Sequence, residues 1–149
     1  MQDYIIAKMQ EAHIPEIAAL EKECFGELAW SESLLAQELT FDYKHYKVVL
    51  YQDKVIGYGG FSQILNEAHI MNIAIASPYR RKGIGSLLMD ALKQKAYTLG
   101  ITRMTLEVAG SNRPAIEFYL QHNFQLFGIR PDYYSNKEDA LILWCLLED

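Results

Sequence analysis

One segment of the chain combines cations and glycines in a pattern that is suited to binding an anion. Three consecutive cations occupy residues 80–82, and Gly83 and Gly85 follow where a run with helical periodicity begins. A helix N-terminus presents unpaired N–H groups and the positive end of its dipole, and glycines let a phosphate approach the backbone. The alternative is a solvated loop before an ordinary helix, because short glycine motifs are weak signals. Neither the P-loop pattern nor the dinucleotide fingerprint is complete, so a nucleoside triphosphate or a dinucleotide is not favoured.

A carboxylate inside an apolar run is the second feature that could do chemistry. Glu107 interrupts the segment MTLEVA, which has the composition of a buried strand. A carboxylate is costly there unless it is partnered or partly solvated, which makes it a candidate general base. The alternative is a glutamate at a strand end with its side chain in solvent. The pattern alone predicts that Tyr119 packs in the core, because Ile116, Tyr119 and Leu120 form a helix stripe in which aromatic residues usually do so.

The elements that must position these residues alternate between strands and helices. Patterning predicts strands over 4–9, 46–51, 55–63, 67–76 and 103–108, with two more around RPDYY and DALILWCLL. It predicts helices over 15–25, after Ser31 or Ser33, over 84–99 and over 112–123. The predicted order is strand, helix, helix, three strands, helix, strand, helix and two strands. Antiparallel hairpins mixed with strand-helix-strand crossovers predict an α/β fold in which helices cover a mixed sheet.

Composition limits the classes of function. The chain has 149 residues, half of them hydrophobic, which is enough for one domain with a packed core. Its formal net charge of −5 argues against nucleic-acid binding and favours a cationic substrate. Cys24 and Cys145 match no metal or disulfide framework and are predicted to be buried thiols, and the scattered histidines are not candidates for catalysis or metal binding. Without an apolar run of roughly 18 residues or a signal-peptide pattern, we predict a soluble, cytoplasmic protein with no membrane partner.

Taken together, these segments resemble the GNAT (Gcn5-related) N-acetyltransferases. The pattern R-x-x-G-x-G at residues 80–85, after IMNIAI, is similar to the acetyl-CoA signature of that family. LAWSES, LEVAGSNRPAIEFYLQHNF and IRPDYYSNKEDALIL add similarity to its RimI branch, the N-terminal alanine acetyltransferases of a ribosomal protein. The resemblance covers nearly the whole chain. It implies a single GNAT domain over residues 1–149, with a mixed sheet of about six to seven strands flanked by about four helices.

The resemblance implies a coenzyme site made chiefly of main-chain atoms. The pyrophosphate of acetyl-CoA would lie on the N–H groups of the glycine-containing turn, and its pantetheine arm would pair like an extra strand where the sheet splays apart. The residues assigned to this site are Ile73, Ala74, Ile75, Arg80, Arg81, Lys82, Gly83, Ile84, Gly85, Ser86 and Asn112. Asn112 would also cap the helix that contains Pro114. Acetyl-CoA is the one co-substrate implied, and no metal is expected.

The resemblance also implies the catalytic roles and the reaction. Glu107 would remove a proton from the acceptor amine, directly or through water, and Tyr119 would protonate the departing thiolate. A backbone N–H within residues 73–75 would polarise the thioester carbonyl. The implied reaction transfers an acetyl group to the N-terminal α-amine of a protein. The expected acceptor is the N-terminal alanine of a small-subunit ribosomal protein.

The acceptor side is assigned on the same basis to three aromatic residues. Trp30, Tyr133 and Tyr134 would frame an extended peptide, although ordinary strand aromatics are an equal alternative. The branch pattern LEVRxSN has a cation where this chain has Ala109, which leaves the peptide specificity open. Two other functions also stay open: acetylation of lysine side chains or small amines, and a non-catalytic domain that binds acyl-CoA or a partner protein. The sequence does not indicate the oligomeric state.

Overall fold

Strands rich in apolar and β-branched residues assemble into one mixed sheet, and in β5 buried residues alternate with partly exposed ones. The computed structural model describes residues 3–147, and seven strands lie within them. They are β1 (Tyr4–Lys8), β2 (Lys44–Tyr51), β3 (Lys54–Ile64), β4 (Glu67–Ile75), β5 (Arg103–Ala109), β6 (Gln125–Arg130) and β7 (Ala140–Leu146). Their order is β1-β2-β3-β4-β5-β7-β6, in which β4 and β5 run parallel and the other neighbours run antiparallel. The predicted mixed sheet is confirmed.

Four α-helices lie within the described residues 3–147. They are α1 (Ile14–Phe25), α2 (Glu32–Glu38), α3 (Ile84–Thr98) and α4 (Arg113–Gln121). Pro15 lies in the first turn of α1, and Ser31 caps α2 by accepting a hydrogen bond from the N–H of Leu34 at 3.1 Å. Gly100 follows α3 with a φ of +80°, which glycine adopts without steric cost. None of these described helices is long and apolar enough to cross a membrane.

The two faces of the sheet carry separate buried clusters. On one face α3 packs through Leu88 and Leu92, and on the other face α1 packs through Ile17. The central strand β3 serves both clusters, because Ile56 belongs to the first and Tyr58 to the second. Burial of each large apolar side chain contributes about 1.5–3 kcal/mol to stability. Since β3 is buried on both faces, the domain is organised around it.

The order of strands and helices is as predicted, but the strand predicted around RPDYY is displaced. The observed strand is QLFGIR, and most of RPDYY belongs to the loop of residues 131–139. Pro131 has no N–H to donate to a neighbouring strand, and Asp132 has a left-handed φ of +52°. Both features end the pairing. The prediction was therefore wrong at this point, and Tyr133 and Tyr134 lie in a loop instead of a strand.

Gly60 in β3 occupies a position where a side chain does not fit. An added Cβ would lie 2.6 Å from the carbonyl oxygen of His45 and would also strike the ring of Tyr46. We expect Gly60→Ala to lower the free energy of unfolding by about 1–3 kcal/mol, measured by urea denaturation. Gly128→Ala in β6 is the control, because its Cβ would meet only Ile142, at 3.8 Å. An equal loss of stability in both variants would contradict the steric explanation.

Candidate active site

The candidate site lies where the parallel strands β4 and β5 separate. The two strands pair over residues 67–69 and 103–105 and then diverge. Beyond this point β4 stays paired with β3, and β5 stays paired with β7. The inner edges of both strands therefore face a gap in the sheet. Backbone groups on such edges need solvent or a ligand to satisfy their hydrogen-bonding capacity.

Main-chain donors of β4 point into this gap. The N–H of Ala76 donates to the carbonyl oxygen of Ile56 in β3 at 2.8 Å. In an antiparallel ladder, alternate residues direct their N–H and C=O groups toward the same neighbour. Ala74 therefore faces β3, and the N–H groups of Ile73 and Ile75 point toward the gap. Two of the three strand residues that the sequence assigned to the coenzyme thus offer their N–H groups to a ligand.

The turn before α3 carries a continuous row of main-chain donors that have no partner among the described residues. The N–H groups of residues 81–86 donate to no described residue, whereas the N–H of Leu87 already donates to the carbonyl oxygen of Gly83 at 3.1 Å. Gly83 has a φ of +82°, and nothing lies within 4 Å of the position that its Cβ would take. Arg81 also adopts a left-handed φ, of +61°. Unpaired N–H groups at the positive end of a helix dipole form an anion site.

Two residues of the R-x-x-G-x-G pattern have structural partners within the protein. A Cβ on Gly85 would lie 3.0 Å from the ring of Phe118, so this glycine allows α4 to pack against the start of α3. The guanidinium of Arg80 donates to the carbonyl oxygen of Ile75 at 2.9 Å and to Sγ of Cys24 at 3.2 Å. Arg80 thus fastens the end of β4 to α1. Cys24 is only half-buried, although the sequence predicted a buried thiol.

Glu107 projects from β5 beside the gap, with its two oxygens in different environments. The side chain is 17% exposed, and its Oε1 lies 3.2 Å from Nε2 of His69 in β4. Its Oε2 is buried and has no hydrogen-bond partner among the described residues. A buried oxygen without a partner is costly, so the arrangement favours a proton donor that arrives from outside. The structure places His69, which sequence reasoning had set aside, beside the predicted base.

A cavity of about 310 Å³ opens next to Glu107. Its walls combine apolar and charged side chains, namely Ile64, Glu67, His69, Arg103, Thr105, Glu107, Phe127, Arg130, Ile142 and Trp144. Glu67 and Arg103 form an ion pair in this wall. Within residues 3–147, no group of His, Cys, Asp and Glu side chains is arranged to hold a metal ion.

Tyr133 and Tyr134 lie close to the same carboxylate. Glu107 raises the pKa of Tyr133, first through a hydrogen-bonding contact and then through its negative charge. The pKa of Tyr134 is raised chiefly by burial and secondly by the charge of Glu107. Tyr133 therefore lies near the carboxylate of Glu107, although Oε2 has no aligned hydrogen-bond partner among the described residues. The structure therefore brings three of the predicted site residues together.

Tyr119 lies on α4 in an aromatic environment. Its ring packs edge-on against Phe118 at 5.4 Å and Phe124 at 5.6 Å between centroids. Burial raises the pKa of Tyr119 to about 12, so the phenol keeps its proton at neutral pH.

The helix α4, which carries Tyr119, is capped by Asn112, whose side chain accepts a hydrogen bond from the N–H of Ala115 at 3.3 Å. The predicted cap is confirmed.

Trp30 is held on the α1 side of the sheet by a buried carboxylate. The main-chain N–H of Trp30 donates to Oε1 of Glu21 at 2.8 Å. The indole ring packs edge-on against the ring of Tyr46, with 6.5 Å between centroids. Glu21 is completely buried, and its Oε2 accepts hydrogen bonds from Asn72 at 2.9 Å and from the hydroxyl of Tyr58. This carboxylate therefore ties the segment that carries Trp30 to β3 and β4. Sequence reasoning did not single out Glu21.

The raised pKa of Tyr119 makes stability depend on pH. The pKa of an unfolded tyrosine is about 10, so the buried phenol favours folding below that pH. This contribution is lost as the pH rises toward the folded value of about 12. Between pH 10 and 12, we expect the free energy of unfolding of the wild type to fall by about 1–3 kcal/mol more than that of Tyr119→Phe. Denaturation curves across this range measure the difference.

Tyr97→Phe is the control for that comparison, because it removes a phenol that is 41% exposed. Its free energy of unfolding should follow that of the wild type over the same range. If the free energies of unfolding of the wild type and Tyr119→Phe fell equally between pH 10 and 12, burial would not raise the pKa of the Tyr119 phenol.

Comparisons with known proteins extend these observations. Residues 14–124 match the acetyltransferase (GNAT) family. A Bacillus subtilis (strain 168) protein, provisionally named as a ribosomal protein bS18-alanine N-acetyltransferase, is 31% identical over 145 residues, which cover 97% of this chain and 96% of that protein. The ribosomal protein bS18-alanine N-acetyltransferase of Escherichia coli (strain K12) is 28% identical over 141 residues, covering 93% of this chain and 94% of that protein.

A comparison with solved structures agrees with the family match. The crystal structure of the ribosomal-protein-S18-alanine N-acetyltransferase from Escherichia coli matches with a TM-score of 0.88 at 25% sequence identity, over 99% of this chain and 96% of that chain. GNAT acetyltransferases use acetyl-CoA as the acetyl donor. The family match covers well over half of the chain, and the full-length similarity to named acetyltransferases is consistent with it. The chain therefore belongs to the GNAT family and is an acetyltransferase.

Proposed function

We propose that this enzyme transfers the acetyl group of acetyl-CoA to the N-terminal α-amine of a protein, and that the acceptor is a small-subunit ribosomal protein that begins with alanine. The observation that carries the proposal is the buried, unpartnered Oε2 of Glu107 beside the gap between β4 and β5. A carboxylate oxygen in that position is suited to accept a proton from an incoming amine. The names of the two bacterial relatives support the acceptor class.

The residues present fit acetyl-CoA. The six unpaired N–H groups of residues 81–86 suit its pyrophosphate, and the open space at Gly83 leaves room for it. The N–H groups of Ile73 and Ile75 suit the amides of an extended arm that lies in the gap. When bound, acetyl-CoA supplies the acetyl group as a thioester, whose carbonyl oxygen one of these N–H groups would polarise. Arg80 and Asn112 contribute chiefly by holding β4 and α4 in place.

An N-terminal acceptor is easier to activate than a lysine side chain. Only a neutral amine has the lone pair needed for attack on a carbonyl carbon. With pKa values of about 7.7–8.0 for an α-amino group and about 10.4 for lysine, roughly a tenth of the first and about 0.04% of the second are neutral at pH 7. A base that acts on an already neutral α-amine needs only to remove the proton that is released during attack.

The base and the acid are separate groups in the proposed reaction. Oε2 of Glu107 accepts the proton that leaves the amine nitrogen as the new amide bond forms. The hydroxyl of Tyr119 donates its proton to the sulfur of the departing thiolate. The pKa of Tyr119, which burial raises to about 12, ensures that the proton is present at neutral pH. Tyr133, Tyr134 and Trp30 would contact the acceptor peptide from the loop and from the α1 side.

Removing either proton-transfer group should lower turnover without loss of the coenzyme site. We expect Glu107→Gln and Tyr119→Phe each to lower kcat by about 10²–10⁴-fold, with the dissociation constant for acetyl-CoA little changed. Initial rates and calorimetry measure the two quantities. Glu117→Gln is the matched control, because Glu117 is an exposed carboxylate on α4. Unchanged turnover in both variants would sink the assignment.

The acceptor class is tested by comparing three amines at pH 7. They are a basic peptide that begins with alanine, the same peptide with a blocked N-terminus and internal lysines, and spermidine. We expect the free N-terminus to react at least about 100-fold faster than the blocked peptide, because so little of the lysine amine is neutral. A preference for the blocked peptide or spermidine would make the enzyme a lysine or small-amine acetyltransferase. Binding of acetyl-CoA without any acetylation would favour a non-catalytic domain.

A further inference from the structure

The register of the parallel strands brings His69 next to Glu107. His69 in β4 pairs with Thr105 in β5, two residues before Glu107 on the same face of that strand. The neighbours of His69 along β4, Ala68 and Ile70, are buried in the cluster on the opposite face. The imidazole and the carboxylate therefore share one face of the sheet and line the same cavity.

The contact between the two side chains involves only one carboxylate oxygen. Nε2 of His69 lies 3.2 Å from Oε1 of Glu107, within reach of a hydrogen bond. Oε2 of Glu107 has no such partner among residues 3–147. A contact at Oε1 limits rotation of the carboxylate about its last bond and leaves Oε2 as the oxygen available to a third group. His69 is itself 37% exposed along its side chain, so it can be changed without opening the core.

From this geometry we infer that His69 is a positioning residue, which holds the carboxylate of Glu107 through Oε1 so that Oε2 is presented to the acceptor amine. The inference rests on the proposed role of Glu107 as the base. It requires His69 to donate its Nε2–H to Oε1 in the working complex. An imidazole or an amide can make this donation, whereas an apolar side chain cannot.

His69 is one of several polar groups around the carboxylate of Glu107. The charged groups that line the same cavity are the ion-paired Glu67 and Arg103 and the guanidinium of Arg130. Tyr133 and Tyr134 approach the carboxylate from the loop of residues 131–139. The proposed role needs only a donor at the position of Nε2, so a neutral amide should be able to replace the imidazole.

The experiment compares two substitutions at His69 in the full-length enzyme. We expect His69→Ala to lower kcat by about 10–100-fold through loss of alignment. We expect His69→Gln, whose amide N–H can replace Nε2–H, to recover kcat to within about threefold of the wild type. The dissociation constant for acetyl-CoA should be unchanged in both.

Failure of the positioning role of His69 can be told apart from failure of the proposed function. His45→Ala is the matched control, because His45 is a partly buried strand histidine that contacts Gln63 instead, at 3.3 Å. Full activity of His69→Ala, or failure of His69→Gln to exceed His69→Ala in kcat, would overturn the positioning role. If Glu107→Gln is inactive in the same assay, that result leaves the proposed function intact. If Glu107→Gln is also fully active, the proposed function fails as well.

Discussion

The separation of β4 from β5 is the constraint on which the candidate site depends. A parallel pair that continued to the ends of both strands would satisfy the N–H groups of Ile73 and Ile75 and would leave no room for a ligand. Here the pairing stops after residues 69 and 105, and β3 and β7 hold the two strands from their outer sides. The fold therefore keeps an opening in the middle of its sheet while every strand retains at least one full ladder.

The wall on the α1 side of this opening is fixed by buried carboxylates. Glu21 accepts hydrogen bonds from a main-chain N–H, an amide and a hydroxyl on three different segments, and Glu38 is bonded to Lys44 and to the hydroxyl of Tyr46 at 2.6 Å. A buried charge persists only when partners of this kind surround it. Because Trp30 is tied to Glu21, the segment between α1 and α2 is held in place without a ligand. Preorganisation of this kind lowers the entropy lost on binding.

Local chemistry made much of the fold predictable, and long-range packing limited the rest. Ser31 and Asn112 have the side chains that cap helices, and the order of elements follows from periodicity alone. The contact between His69 and Glu107 depends on the register between β4 and β5. Paired residues of these two strands are 36 positions apart in the sequence, and no local pattern specifies which residues pair. Glu21 carries a weak signal: it follows Ile17 by one helical turn and so falls on the buried stripe of α1.

The positions of Glu107 and Tyr119 give the proposed reaction a direction. Glu107 projects toward the cavity that it shares with His69, whereas Tyr119 packs against the cluster that contains α3 on the other face of the sheet. A base on one face and an acid on the other suit an amine that enters from the cavity and a thiolate that leaves along α3. The row of N–H groups at residues 81–86 lies at the start of that same helix. In the proposed reaction, the acetyl group would pass from sulfur to nitrogen within the gap between β4 and β5.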